Sequence, residues 1–176
     1  MIRRLVWMLV ASTVLSAQAP VPAANPNVEM TVYLISGSAQ GTADDVPKDL
    51  ESTVRQLHSV FAYKGYKLSE SFILRGRSGN ASTEGVLPGV GLHYRFSYFR
   101  VRLSGDAPRA VQVDNLYFEL TKPNGQFKDG KQQYETVAKI STDLDMRDGQ
   151  KTVVGKSSLN PTGDALILVI VPKVID

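Results

Sequence analysis

Apolar residues recur along this chain at two spacings. Leu50, Val54, Leu57 and Phe61 stand at i, i+4, i+7 and i+11, which is one face of a helix. Pro47 opens that segment, Asp44 or Asp45 is placed to cap it, and Lys64 and Gly65 supply the signals expected where a helix stops. Elsewhere the spacing is two. Residues 28–36 and 67–75 read as strands on either side of the helix, with GNASTEG after them as a turn or loop. In the stretch 86–103, Leu92, Tyr94, Phe96 and Tyr98 alternate on one face, and Phe99, Val101 and Leu103 then continue on the other. Such a flip predicts a bulge near Tyr98 and Phe99, in a strand pair or one bent strand. The next strand repeats it: Val111 and Val113, then Leu116, Phe118 and Leu120, with Asp114-Asn115 between them. Two flips in neighbouring strands predict a strongly twisted sheet.

PNGQFKDGK, residues 123–131, reads as a turn-rich connection. A further strand covers 134–147, where Ile140, Thr142, Leu144 and Met146 alternate with Asp143, Asp145 and Arg147. Asp148-Gly149 then predicts a type I′ hairpin, because both central residues of that turn need positive φ. Pairing Arg147 with Gln150 sets Leu144 opposite Val153 and Asp145 opposite Thr152. The last segment, ALILVIVPKVI at 165–175, is apolar without alternation, so it is expected to be buried on both faces. Pro172 places its far end at an edge or outside the sheet. The expected fold is α+β: a mainly antiparallel, twisted β-sheet with one amphipathic helix packed on it.

The first residues change the picture of where this domain works. Arg3 and Arg4 precede an apolar run at 5–15 and small residues in SAQAP, the order of a secretory signal. The run is too short to span a membrane as a helix, which needs roughly 20 apolar residues. Residues 1–19 are therefore read as a signal peptide, with cleavage after Ala17, Ala19, Ala23 or Ala24. Residues 20–27 are a Pro/Asn linker, and 28–176 a single domain. No Cys follows the apolar run, which excludes a lipoprotein anchor. The chain has 176 residues, a formal charge of +3 and no cysteine. Loss of Arg3 and Arg4 leaves the mature chain nearly neutral, so its basic pI is no nucleic-acid footprint. Without cysteine there are no disulfides, thiolate zinc sites or cysteine nucleophiles. The expected location is the periplasm or outer envelope, with no membrane span after signal removal.

Candidate chemistry is sparse. His58 flanks the helix stripe and His93 lies on the Arg95/Ser97 face of its strand, and neither is near a nucleophile signature such as G-x-S-x-G. Asp143, Asp145, Asp148 and Gly149 approach a calcium loop, but the third Asp is one position late and no Glu follows. GQKTVVGKS has five residues between its glycines where a phosphate loop has four. No cofactor, metal site or catalytic set is expected. HYRFSYFRVR interleaves aromatic and basic residues, and Tyr94, Arg95, Tyr98, Arg100 and Arg102 form the candidate face for a protein partner or an anionic ligand. A hydrolase using His93 and a small outer-membrane barrel are the further alternatives.

Asp148, Gly149, Gln150, Val153, Val154 and Gly155, followed by residues 166–170, Pro172, Val174 and Ile175, resemble the C-terminal part of the secretin core. Secretins are the outer-membrane channels of type II and III secretion and of type IV pili. The resemblance covers residues 142–175, and the whole chain is similar to small exported bacterial proteins with this ending. It departs at Gly155-Lys156-Ser157, where secretins have Gly-Gly-Leu, and at SSLNPTGDA, where secretins insert a gate region. The resemblance implies a non-enzymatic accessory of such a machine, acting through protein contacts or self-association, and not a channel subunit.

Overall fold

The computed structural model describes residues 27–41, 43–77, 79–105, 109–160 and 163–175. The expected signal peptide and nearly all of the expected linker lie outside them. The elements are β1 (Asn27–Ser38), a 3-10 turn (Lys48–Leu50) running into α1 (Glu51–Val60), β2 (Gly65–Arg77), β3 (Ala81–Val86), β4 (His93–Tyr98), β5 (Arg100–Ser104), β6 (Ala110–Lys128), β7 (Lys131–Arg147), β8 (Thr152–Ser158) and β9 (Ala165–Ile175). All the ladders between these strands are antiparallel, and one short α-helix accompanies them among the described residues. The α+β class is as the sequence predicts, but there are two sheets where one is expected. The first runs β2-β1-β9-β8. In the second, β3 pairs β4, β4 and β5 pair successive stretches of β6, and β7 pairs the far side of β6.

Burial of apolar rows dictates this layering. Met30, Val32, Leu34, Leu166, Leu168 and Ile170 of the first sheet meet Phe96, Val101, Val113, Leu116, Phe118 and Leu120 of the second in one core. Each such side chain contributes about 1.5–3 kcal/mol on burial. The opposite face of β9 is also apolar, and α1 covers it. Leu50, Val54 and Leu57, with Phe61 beside them, pack on Ile35, Ile167 and Val169. The expected helix face therefore meets the sheet as predicted. Neither Asp44 nor Asp45 caps the helix. Pro47 precedes the 3-10 turn without a side-chain cap, and the helix closes at Phe61, before Lys64 and Gly65. Asp45 instead bridges to Lys67, and Asp44 accepts from the Tyr66 N–H at 2.9 Å.

Both predicted face flips are resolved by bulges that return the chain to the same side. Phe99 is the bend between β4 and β5, and it turns outward while Tyr98 and Val101 both point into the core. Asn115 takes φ 51° at a register shift between Val113 and Leu116, so all five apolar residues of β6 from Val111 to Leu120 face inward. The apolar sets expected on opposite faces thus share one. Residues 81–85, expected within a loop, join Val86 to form β3 along β4.

Two turns reverse the expectation. Asp129 and Gly130, inside the predicted loop, take φ 51° and 73° and close the β6–β7 hairpin, the geometry of a type I′ turn. At Asp148-Gly149 only the glycine has positive φ, and β7 and β8 do not pair. The Gln150 N–H still donates to the Arg147 carbonyl at 3.0 Å, but this turn carries the chain from one sheet to the other. Leu144 faces Val113 and Val153 faces Val169, not each other. β9 holds the turn in place: the Gly149 N–H donates to Pro172 O at 2.7 Å, and the Val174 N–H donates to Asp148 Oδ1 at 2.9 Å. Pro172 thus turns its donor-free nitrogen to the side of β9 that β8 has already left, since β8 pairs no further than Ile170.

Glycine matters where aromatic rings cross the sheet ends. A Cβ on Gly76 would overlap the Tyr98 hydroxyl, which is buried without a hydrogen-bond partner among the described residues. Tyr98→Phe removes that unsatisfied group and is expected to raise stability by about 1 kcal/mol. Gly76→Ala is expected to cost about 1–3 kcal/mol by overpacking, and most of that cost should vanish in the Tyr98→Phe background. Urea unfolding of the four proteins measures the coupling; equal costs in both backgrounds contradict the account.

Candidate functional site

The strands β3, β4, β6 and β7 offer their polar alternation to the outside of the second sheet. On β4, Tyr94, Phe96 and Tyr98 are buried while His93, Arg95 and Ser97 point away from the core. Register then builds rows across the sheet. Glu84 pairs with Arg95, Arg95 with Glu119, and Glu119 with Lys139, a row of alternating charge. Arg95 Nη2 stands 3.4 Å from Glu84 Oε2, and Thr136 Oγ1 donates to Glu119 Oε1 at 2.8 Å. The next row is Ser82, Ser97, Tyr117 and Ser141. Lys139 Nζ lies 5.2 Å from the Tyr117 ring centre.

This geometry divides the predicted face. Tyr94 and Tyr98 belong to the core, where burial pushes both hydroxyls above the ordinary tyrosine range. Arg95 is outward among β3, β4 and β6. Arg100 and Arg102 are also outward, but on β5, where Arg102 Nη2 pairs with Asp114 Oδ1 at 2.8 Å and Arg100 lies over Phe99. The strict alternation of β4 decides this: neighbours in sequence cannot share a face. The outward surface therefore keeps Arg95, Arg100 and Arg102, with Phe99 and Tyr117 as its aromatic groups, and loses Tyr94 and Tyr98 to the core.

His93 does sit in a depression. A cleft of about 450 Å³ is lined by Glu84, Val86, His93, Arg95, Glu119 and Tyr134. The His93 and Tyr134 rings meet edge-on with centroids 5.1 Å apart. His58 is engaged elsewhere, with Nε2 3.0 Å from Asp44 Oδ2 and its ring against Tyr66. The three carboxylates of the calcium reading have separate tasks: Asp143 accepts from the Asn115 N–H, Asp148 from the Val174 N–H, and Asp145 faces out beside Gln112. Gly155-Lys156-Ser157 lies within β8, and Lys156 Nζ reaches over the rings of Phe61 and Tyr63. Compared with protein-family models, with curated protein sequences and with solved structures, the chain matches none of them.

The most prominent feature is one that the sequence pattern hides. Past Thr121, where pairing with β4 ends, β6 has only β7 as neighbour among the described residues. Residues 122–136 form a two-stranded ribbon standing clear of the sandwich, with no buried residue in it. Phe127 is 69 % exposed and Tyr134 48 % exposed upon it. The signal was present in Asp129-Gly130 between Lys128 and Lys131, but Pro123-Asn124-Gly125 masks it as loop. Those residues form an irregular patch in the ladder, with Gly125 at φ 77°.

A second cavity of about 530 Å³ opens where the end of β1 meets the start of β2, between Gly37, Gly65, Val90, Leu92, Leu159 and Asp164. Asp164 braces its rim. Hydrogen bonds from the Asn160 and Ser38 side chains, and from the Ala39 N–H, hold its carboxyl below the ordinary aspartate range against a smaller opposing effect of desolvation. A lowered folded pKa contributes stability above the unfolded value of about 4, and loses it as pH falls through the folded value. Asp164→Asn is therefore expected to flatten the fall in urea midpoint below about pH 4. An unchanged acid slope refutes the role of these bonds.

Proposed function

We propose that this chain is an exported, non-enzymatic protein of the bacterial envelope that acts through protein contacts, with the 122–136 ribbon as its contact element. The ribbon carries the proposal. A two-stranded hairpin without a packed face is marginal in water, and an exposed phenylalanine at its tip gains nothing from the fold of its own chain. Both are accounted for by a partner that covers Phe127 and Tyr134, residues of the kind that anchor interfaces. The signal-like residues 1–19 support an extracytoplasmic location. The resemblance at 142–175 supports a secretin-type secretion or pilus machine as the partner.

A second reading is favoured by the cleft at the ribbon's base. His93, Arg95 and Tyr134 line it together, which suits a small anionic ligand in the periplasm. The two readings differ in what the ribbon tip does, because the tip stands outside the cleft.

A photo-crosslinking residue at Gln132, the ladder partner of Phe127, tests the first reading in the native bacterium. It is expected to yield a discrete adduct with one envelope protein, reduced roughly tenfold by Phe127→Ala, as loss of an interface anchor implies. Absence of adducts overturns the contact reading. Cell fractionation is expected to place the chain outside the cytoplasm with its N-terminus trimmed after Ala17, Ala19, Ala23 or Ala24; an intact leader in the cytosol overturns export.

A further inference from the structure

Five strands have an open edge among the described residues, and they are unequal. β5 is five residues long, β3 six and β8 seven, the last with a register shift between Val153 and Gly155. β2 is met at its Tyr66–Leu68 end by Asp45, which exchanges backbone hydrogen bonds there. β7 has 17 residues, contains no proline and, among the described residues, pairs only with β6. A long uncovered edge is a template for another strand.

We infer that the β7 edge pairs with a second copy of this chain, antiparallel about a two-fold axis at Thr142. The row facing outward is Lys139, Ser141, Asp143, Asp145 and Arg147, all exposed, and the row facing the core is Ala138, Ile140, Thr142, Leu144 and Met146. About Thr142, Lys139 falls opposite Asp145 of the second copy, and Ser141 opposite Asp143. On the inner row, Ile140 falls opposite Leu144 and Ala138 opposite Met146. Each pair occurs twice by symmetry. Opposite charges and apolar pairs directly across an antiparallel ladder stabilise it. Ile140 and Leu144 are only half-buried in the single chain, so the pairing also completes the cover of the core at this edge.

Neighbouring registers are worse. Centring on Asp143 sets that carboxylate against itself and Lys139 against Arg147. Centring on Ser141 leaves Ile140 against Thr142 and Ala138 against Leu144. A two-fold axis perpendicular to the sheet keeps inner faces together, so both sandwiches lie side by side with their cores continuous. The mixed charges that defend this edge against foreign strands are complementary to the edge itself. This interface is separate from the ribbon tip, so it stands or falls independently of the proposed contact role.

Analytical ultracentrifugation of the mature chain is expected to show a dimer in reversible exchange with monomer. Asp145→Lys is expected to weaken the dimer at least roughly tenfold by placing like charges in both symmetric contacts, and Lys139→Asp added to it is expected to restore the dimer. The chain has no cysteine, so Thr142→Cys introduces the single thiol, and mild oxidation is expected to link two copies through it. That second variant keeps the edge testable if Asp145→Lys folds poorly. A monomer at every concentration overturns the proposal, as does a dimer that Asp145→Lys leaves intact or that Thr142→Cys does not cross-link.

Discussion

A strand buried on both faces organises this molecule. All six residues of β9 from Ala165 to Ile170 are fully buried. A strand with apolar side chains on both faces cannot lie at the surface of a two-layer fold. It needs neighbours on both edges and a cover above and below. β1 and β8 take the edges, the second sheet takes one face, and α1 takes the other. Three layers over β9 thin to two elsewhere, which is why one helix of 10 residues is sufficient.

The Asp148-Gly149 turn follows from the same constraint. β7 spends its ladder on β6, and β8 must reach β9, so the chain has to change sheets between them. A tight hairpin would have kept β8 in the sheet of β7 and left one edge of β9 open. The turn is steadied by bonds to β9 from both of its central residues, one through the Gly149 amide and one through the Asp148 carboxylate. A side chain that accepts a strand's edge N–H does the work a ladder neighbour would otherwise do.

Much of this was legible in the spacing of residues. The helix stripe, the doubly buried last strand and most strand centres follow from periods of 3.6 and 2, because those periods state which faces are dry. Pairing was not legible. Asp129-Gly130 and Asp148-Gly149 are the same dipeptide, and only the first closes a hairpin. Local sequence fixes the tightness of a turn, while long-range burial decides which strands pair across it. The candidate face is split for a related reason, its two tyrosines going to the core while its three arginines face out. Tyr94 and Arg95 look like one mixed surface in sequence, yet a strand sends them to opposite sides. The ribbon at 122–136 left no apolar pattern to read, since none of its residues is buried.

The two bulges show how the sheet tolerates a broken alternation. Phe99 and Asp114 lie at matching points of adjacent strands, joined by a bond from the Phe99 N–H to the Asp114 carbonyl at 3.0 Å. One residue is extruded from each strand at the same level, so the ladder resumes in step beyond the fault. Against β7 the extra residue of β6 is unmatched, and the register shift between Val113 and Leu116 absorbs it while the inner row of β7 keeps its face. Placed together, the two faults keep a continuous core from Val111 to Leu120. β7 is tied to this level by Asp143, which accepts from the Asn115 N–H at 2.7 Å. The bulge therefore falls on the segment where the charges of β7 alternate with its half-buried apolar row, and a bulge adds local twist that any strand joined to that edge must match.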